Sequence, residues 1–237
     1  MNGKVGALGL VLVALVAVCV GPLPAAQAGK LDIGASPAVL EGSQDSLKTT
    51  QLTFNLGGAT IICETGSFEG TTQATTLEDA TVTPTYGAKE DCTVILETKV
   101  RMNGCKYTLT GAGQAANTFL VDIVGCTAGK QMKIEVPVYG CVYSIPEQSG
   151  ISHVVAKTGL DIGGVPDITL EMTLTGISYK RESGAGICTG PAEGANGSLQ
   201  GSTFVKAYKD AGSQQVNKHG HIYSELLTGG QVSLSAT

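Results

Sequence analysis

The sequence predicts an all-β protein, an antiparallel β-sandwich or partly open barrel of about twelve short strands stapled by three disulfides. Apolar and polar residues alternate at period two along most of the chain after residue 28, whereas the 3.6-residue period of amphipathic helices is nearly absent there. The 33 glycines, with Pro, Asn and Asp, punctuate the alternating runs as turns between short strands require. Six cysteines remain once an export leader is set aside, an even number suited to pairing.

The leader takes up residues 1–28. Lys4 charges its start, residues 5–20 (VGALGLVLVALVAVCV) are almost wholly apolar, and Gly21, Pro22 and Pro24 break the run before Ala26-Gln27-Ala28, an A-x-A cleavage site. A membrane anchor needs ~20 apolar residues, more than this run supplies. Lipid attachment at Cys19 needs a small residue before it, where Val18 stands. Cleavage after Ala28 leaves 29–237 as a single secreted domain, released or held at the cell envelope. The membrane is then involved only through the cleaved leader.

The strands follow in order. Short runs at 51–57, 59–64 and 80–86 come first. From Cys92 to Met102 the even positions Cys92, Val94, Leu96, Thr98, Val100 and Met102 form one face, and Thr93, Ile95, Glu97, Lys99 and Arg101 the other. Strands at 105–110 and 117–124 come next. Met132, Ile134, Val136 and Val138 then line up against Gln131, Lys133, Glu135 and Pro137. Strands at 141–145 and 151–157 precede Ile168, Leu170, Met172 and Leu174, which alternate with Asp167, Thr169, Glu171 and Thr173. Parity changes to Ile177 and Tyr179 after Gly176, so a bulge there keeps one face inward. Strands at 202–208 and 230–235 close the chain. The stretches 29–48, 182–200 and 209–229 lack a pattern, and the last, polar and holding His219 and His221, is expected to be a long loop or insertion.

Two segments echo each other, NGCKYTLT at 103–110 and YGCVYSIP at 139–146. In each, a cysteine shares its strand face with a tyrosine and an aliphatic residue: Cys105 with Tyr107 and Leu109, Cys141 with Tyr143 and Ile145. Cys63 aligns with Ala59 and Ile61, and Cys92 with Val94 and Leu96. Four of the six thiols therefore point into the core. Bonding requires Cα atoms within about 7 Å. Among the fifteen connectivities that six cysteines allow, Cys63–Cys92 and Cys105–Cys126 are preferred, which leaves Cys141–Cys188.

The blocks TVTPTY, MNGCKYTLTG, VDIVGCTAGKQMKIEVP, GCVYSIPEQSGI and DITLEMTLTGISY followed by GICTG, with a closing GGQVSLSAT, resemble those of secreted, cysteine-bonded β-proteins common in soil actinobacteria. The similarity spans roughly residues 50–208. It implies export and an all-β disulfide fold, and brings no activity and no catalytic residue. The segment 209–229 departs from the pattern in its length and in its His and Gln content.

The chemistry expected is contact without catalysis. The formal net charge is −5, and loss of Lys4 with the leader takes it to about −6, which disfavours a phosphate backbone as partner. Glu78-Asp79 and Glu90-Asp91 read as solvated loop tips. No G-x-S-x-G elbow or phosphate-binding loop occurs, and no EF-hand loop for calcium. His153 reads as a strand residue, not a general base, and His219 with His221 lacks a third metal ligand. Asn196-Gly197-Ser198 matches a glycosylation acceptor. Trp is absent, and Tyr107 and Tyr143 point inward, so aromatic sugar platforms are not expected. The expected role is that of an exported structural or surface-interaction protein, not an enzyme, needing no cofactor and no metal and meeting an extracellular or cell-wall partner. The alternative is a soluble binding module for a ligand or glycan.

Overall fold

The computed structural model describes residues 30–33, 36–44, 50–77, 79–87, 91–93, 97–111, 117–160, 166–184, 188, 190–209, 215–216, 222–223, 231–232 and 234–236. The expected leader lies outside them. The first strands are β1 (Leu31–Ile33), β2 (Ala38–Ser43), β3 (Leu52–Leu56), β4 (Ala59–Cys63), β5 (Gly66–Thr72), β6 (Thr76–Leu77) and β7 (Asp79–Tyr86). Next come β8 (Asp91–Thr93), β9 (Thr98–Arg101), β10 (Lys106–Gly111), β11 (Thr118–Val124), β12 (Met132–Val136) and β13 (Cys141–Ile145). Three long strands follow, β14 (Gln148–Leu160), β15 (Pro166–Ser183) and β16 (Glu193–Lys209). The short β17 (Gln215–Val216), β18 (Ile222–Tyr223), β19 (Gln231–Val232) and β20 (Leu234–Ala236) complete the set.

The all-β, antiparallel expectation holds, and its architecture is a closed barrel with extra strands. Eight strands pair in the cyclic order β16-β2-β5-β7-β10-β11-β14-β15, and β15 returns to β16. Because β15 and β16 are long, they overrun the barrel and start a second curved sheet. β16 carries β3 and β4 on one flank, while β15 carries β13, β12, β9 and β8 on the other. Its outermost strands meet, and the Cys63–Cys92 bond joins β4 to β8. A covalent bond thus closes the second ring at a seam where no ladder pairs the two strands among the described residues. One hydrophobic cluster runs through both rings, from Leu40 and Val82 in the barrel to Val100, Ile134 and Tyr143 beyond it.

Parity explains the core. β7 alternates fully, with Ala80, Val82 and Tyr86 inside and Thr81, Thr83 and Thr85 exposed. Its neighbours add Glu69 and Lys106 to the same exposed face. A lipid-spanning barrel shows the opposite alternation, apolar outside.

Several expectations are corrected. The run Cys92–Met102 is not one strand: β8 folds back on β9, pairing Asp91 with Lys99 and Thr93 with Thr98, and Glu97 at the reversal has φ 46°. Cys92, Thr98 and Val100 are still buried, because a hairpin returning to the same sheet preserves their face. Val138 is 61% exposed, since Pro137 opens a single 3-10 turn over Pro137–Tyr139 and ends the strand at Val136. The patternless stretches 29–48 and 182–200 contain β1, β2 and the first half of β16. Within 209–229, Gln215–Val216 pairs with Ile222–Tyr223, while His219 and His221 lie outside the described residues. About twelve strands become twenty among the described residues. The bulge at Gly176 is present, as a register shift between Thr175 and Ile177.

The three disulfides are Cys63–Cys92, Cys105–Cys126 and Cys141–Cys188, the preferred set. The echo has a backbone cause. Gly104 (φ 84°) and Gly140 (φ 60°) both adopt the left-handed conformation in the residue before the cysteine, each ending a tight turn so that a strand enters with its sulfur inward. At the first, Asn103 and Gly104 form a primed turn closed by the Cys105 N–H donating to the Met102 carbonyl at 2.9 Å.

Two buried tyrosines meet between barrel and second ring. Tyr86 donates its hydroxyl proton to Tyr107 Oη at 2.8 Å. Burial, reinforced by the neighbouring phenol, pushes Tyr86 well above its ordinary value of 10.0, and burial pushes Tyr107 up to about 12. For an acid whose folded pKa is raised, the stabilisation is complete below the unfolded pKa and is lost as pH climbs through the folded one. Stability is therefore expected to fall between pH 10 and about 12, by up to roughly 3 kcal/mol for a two-unit shift. Denaturant midpoints across that range, with Tyr107→Phe beside the parent, check this; equal alkaline losses in both proteins would contradict it.

Candidate functional site

The outward face of the second ring carries an unusual row of charge. On β9, β12, β13 and β15 the inward positions hold core residues such as Val100, Ile134, Tyr143 and Tyr179, so the alternate positions point outward, all but Ser144 at least partly exposed. The register sets Arg101 opposite Lys133, Lys133 opposite Ser144, and Ser144 opposite Lys180. Three cations and a serine therefore span four adjacent strands in one line. Like charges placed directly across a ladder are destabilising, so nothing in strand pairing rewards Arg101 beside Lys133.

Two carboxylates partly offset the row. Arg101 Nε lies 3.2 Å from Glu135 Oε2, and Lys133 Nζ lies 2.6 Å from Glu182 Oε2. All four side chains are between 28% and 39% exposed, where an ion pair contributes ~0–1 kcal/mol and yields to salt or a competing anion. Lys130 and Lys180 are exposed and have no carboxylate within ion-pair distance among the described residues.

One end of the row is walled by the turn after Cys126. The Lys130 N–H donates to the Thr127 carbonyl at 2.8 Å, which curls the chain so that Gly129, Lys130 and Gln131 rise beside β12. Asn103 Nδ2 donates to the Gln131 carbonyl at 2.7 Å, and the Thr127 N–H donates to the Asn103 carbonyl at 3.0 Å. The Cys105–Cys126 bond fastens both turns. The result is an open groove of about 590 Å3, four cations against two carboxylates, on a chain of net charge −5. Its size falls in the roughly 300–1,000 Å3 of small-ligand sites.

Its one lining hydroxyl is held away from reaction. Ser144 is 2% exposed and donates to the Lys180 carbonyl at 3.2 Å. Of the two lysines that flank it on the row, Lys133 is engaged by Glu182. A serine nucleophile needs its proton directed at a base, and here it is directed at a main-chain carbonyl.

Other cavities are less suited to a ligand. The barrel interior leaves about 30 Å3 beside Tyr86, Tyr107 and Thr203, about the share of one water molecule. A shallow hollow of about 200 Å3 on the barrel wall mixes Glu41 and Glu69 with Lys106 and threonines.

His153 sits on β14 at a bulge, where the ladder shifts between Ser152 and Val154. The bulge lets Ile151 and Val154 both face the core and turns His153 to solvent, away from all three cavities. Asn196 lies exposed on β16 and accepts from the Tyr179 hydroxyl at 3.2 Å. Tyr107 and Tyr143 are buried, as parity requires. Among the described residues no three His, Cys, Asp or Glu side chains gather closely enough to hold a metal ion, and no helix is long and apolar enough to cross a membrane.

None of the groove's cations stood out in the sequence. Alternation had placed Lys99 and Arg101 on one polar face and Lys133 and Glu135 on another, but β9 and β12 are joined only in the sheet. Comparison of the chain with models of protein families, with curated proteins and with solved structures finds no match.

Proposed function

We propose that this protein is exported and acts by non-catalytic contact in the cell envelope or its surroundings, and that the charged groove of the second ring is its binding face. The cation row carries the proposal. Arg101, Lys133 and Lys180 are fixed on a disulfide-bound sheet at a cost in like-charge repulsion, an arrangement that gains value when an anionic group arrives. Three disulfides support an oxidising compartment such as the exterior. The committed proton of Ser144 supports binding over catalysis.

Between the two contact roles, the groove favours ligand binding over purely structural edge pairing. The barrel strands are all paired, and β4 and β8, the edges of the second ring, are tied to each other by Cys63–Cys92, so strand addition to either ring finds little free backbone among the described residues.

Fractionation of producing cells into cytoplasm, wall and medium tests both halves. The chain is expected in wall or medium with Gly29 at its amino end and with no free thiol. Lys130→Gln/Lys180→Gln is expected to shift protein from the wall fraction to the medium. Accumulation in the cytoplasm with the leader intact would end the reading.

A further inference from the structure

We infer that the groove takes a carboxylated glycan, a polyhydroxylated chain with sparse negative charge of the uronic acid kind. The inference rests on the binding role proposed for this groove and specifies its ligand. Strands are about 4.8 Å apart, so the row sets Arg101 and Lys133 roughly 5 Å apart and Lys180 two strands further, roughly 10 Å from Lys133. Of the groove's four cations, Lys180 and Lys130 have no ion-pair partner among the described residues, one on the row and one on the turn at the groove's edge. A ligand bridging them needs negative charge at separated points.

The carboxylates choose between dense and sparse anions. Glu135 and Glu182 lie within the groove, beside the cations they pair with. A phosphodiester backbone, charged at every repeat, would meet both of them and be repelled. A sugar chain with isolated carboxylates instead uses them as acceptors for its hydroxyls, while the lysines take its charge. The Gln131 side chain, exposed in the lining, adds an amide that both donates and accepts. No aromatic ring lines the groove, so recognition would rest on charge and hydrogen bonds and be sensitive to salt.

Isothermal titration of the disulfide-intact chain with a uronic acid tetrasaccharide tests the inference, with three comparison probes: the carboxyl-reduced tetrasaccharide, inorganic polyphosphate and a single-stranded oligonucleotide. The uronate chain is expected to bind at low salt and the reduced chain not to. Lys130→Gln/Lys180→Gln is expected to weaken binding about tenfold, the factor two exposed charge contacts supply. Lys206→Gln, on the barrel over the Phe204 ring, is expected to leave it unchanged. Absence of uronate binding, equal binding of the reduced chain, or tighter binding of polyphosphate or oligonucleotide each overturns the inference. If uronate fails while the lysine variant still leaves the wall fraction, the ligand class is wrong and the binding face stands; if neither responds, both fall.

Discussion

Reduction of the three disulfides is expected to unfold this protein at room temperature. The bonds span 29, 21 and 47 residues. By loop-closure entropy each contributes ~3–4 kcal/mol, together ~10 kcal/mol, as large as the whole stability of a typical domain at ~5–15 kcal/mol. Removing one bond separates local from global effects. Cys63→Ala/Cys92→Ala is expected to cost ~3–4 kcal/mol and to open the seam between β4 and β8, since no ladder closes it among the described residues. Hydrogen exchange should accelerate over 59–63 and 97–101 and stay slow in β7 and β10, whose barrel ladders are intact. A double variant with the parent's denaturation midpoint and a protected seam would show that the bond is dispensable.

Phe54→Ala is expected to be the most damaging single core truncation, at ~3–5 kcal/mol. Phe54 is 1% exposed and belongs to β3 of the second ring, yet its ring meets Tyr86 of the barrel edge-to-face at 5.0 Å between centroids. Truncation opens a cavity where the two rings share their core and strips one wall from the Tyr86–Tyr107 pair. Barrel and second ring should therefore destabilise together. Val138→Ala, on an exposed turn, is the control, expected within about 0.5 kcal/mol of the parent. Urea denaturation of both variants measures the difference; a Phe54→Ala loss as small as that of Val138→Ala would contradict the shared core.

The glycine-rich strands show where local pattern stops being informative. GSLQG at 197–201 has the composition of a loop, yet it is the middle of β16. A Cβ at Gly197 would press on Leu56 and Ile177, and one at Gly201 on the backbone of Gln51 and Leu52. These glycines permit close approach of β3 and its lead-in to the shared strand and mark no turn. β2 and β5 were hidden for a related reason. Gly42 stands opposite Phe68, whose ring occupies the space a side chain there would need, so neither strand alternates cleanly in isolation. The cation row was hidden differently: its members sit at 101, 133 and 180, and no sequence spacing encodes a line drawn across strands.

By itself the sequence determined the all-β class, most strand positions, which thiols face inward and a preferred pairing of all six cysteines. These follow from the period-two geometry of an extended chain, a local property that each residue shares with its near neighbours. Only the tertiary structure decided that the sheet closes into a barrel, that β15 and β16 run on to build a second ring sealed by a disulfide, and that four distant cations line one groove. Cross-strand rows and ring closure depend on register between distant segments, with β2 and β16 pairing Ala38 with Lys209 and Ser43 with Phe204, and register is set by packing of the whole core.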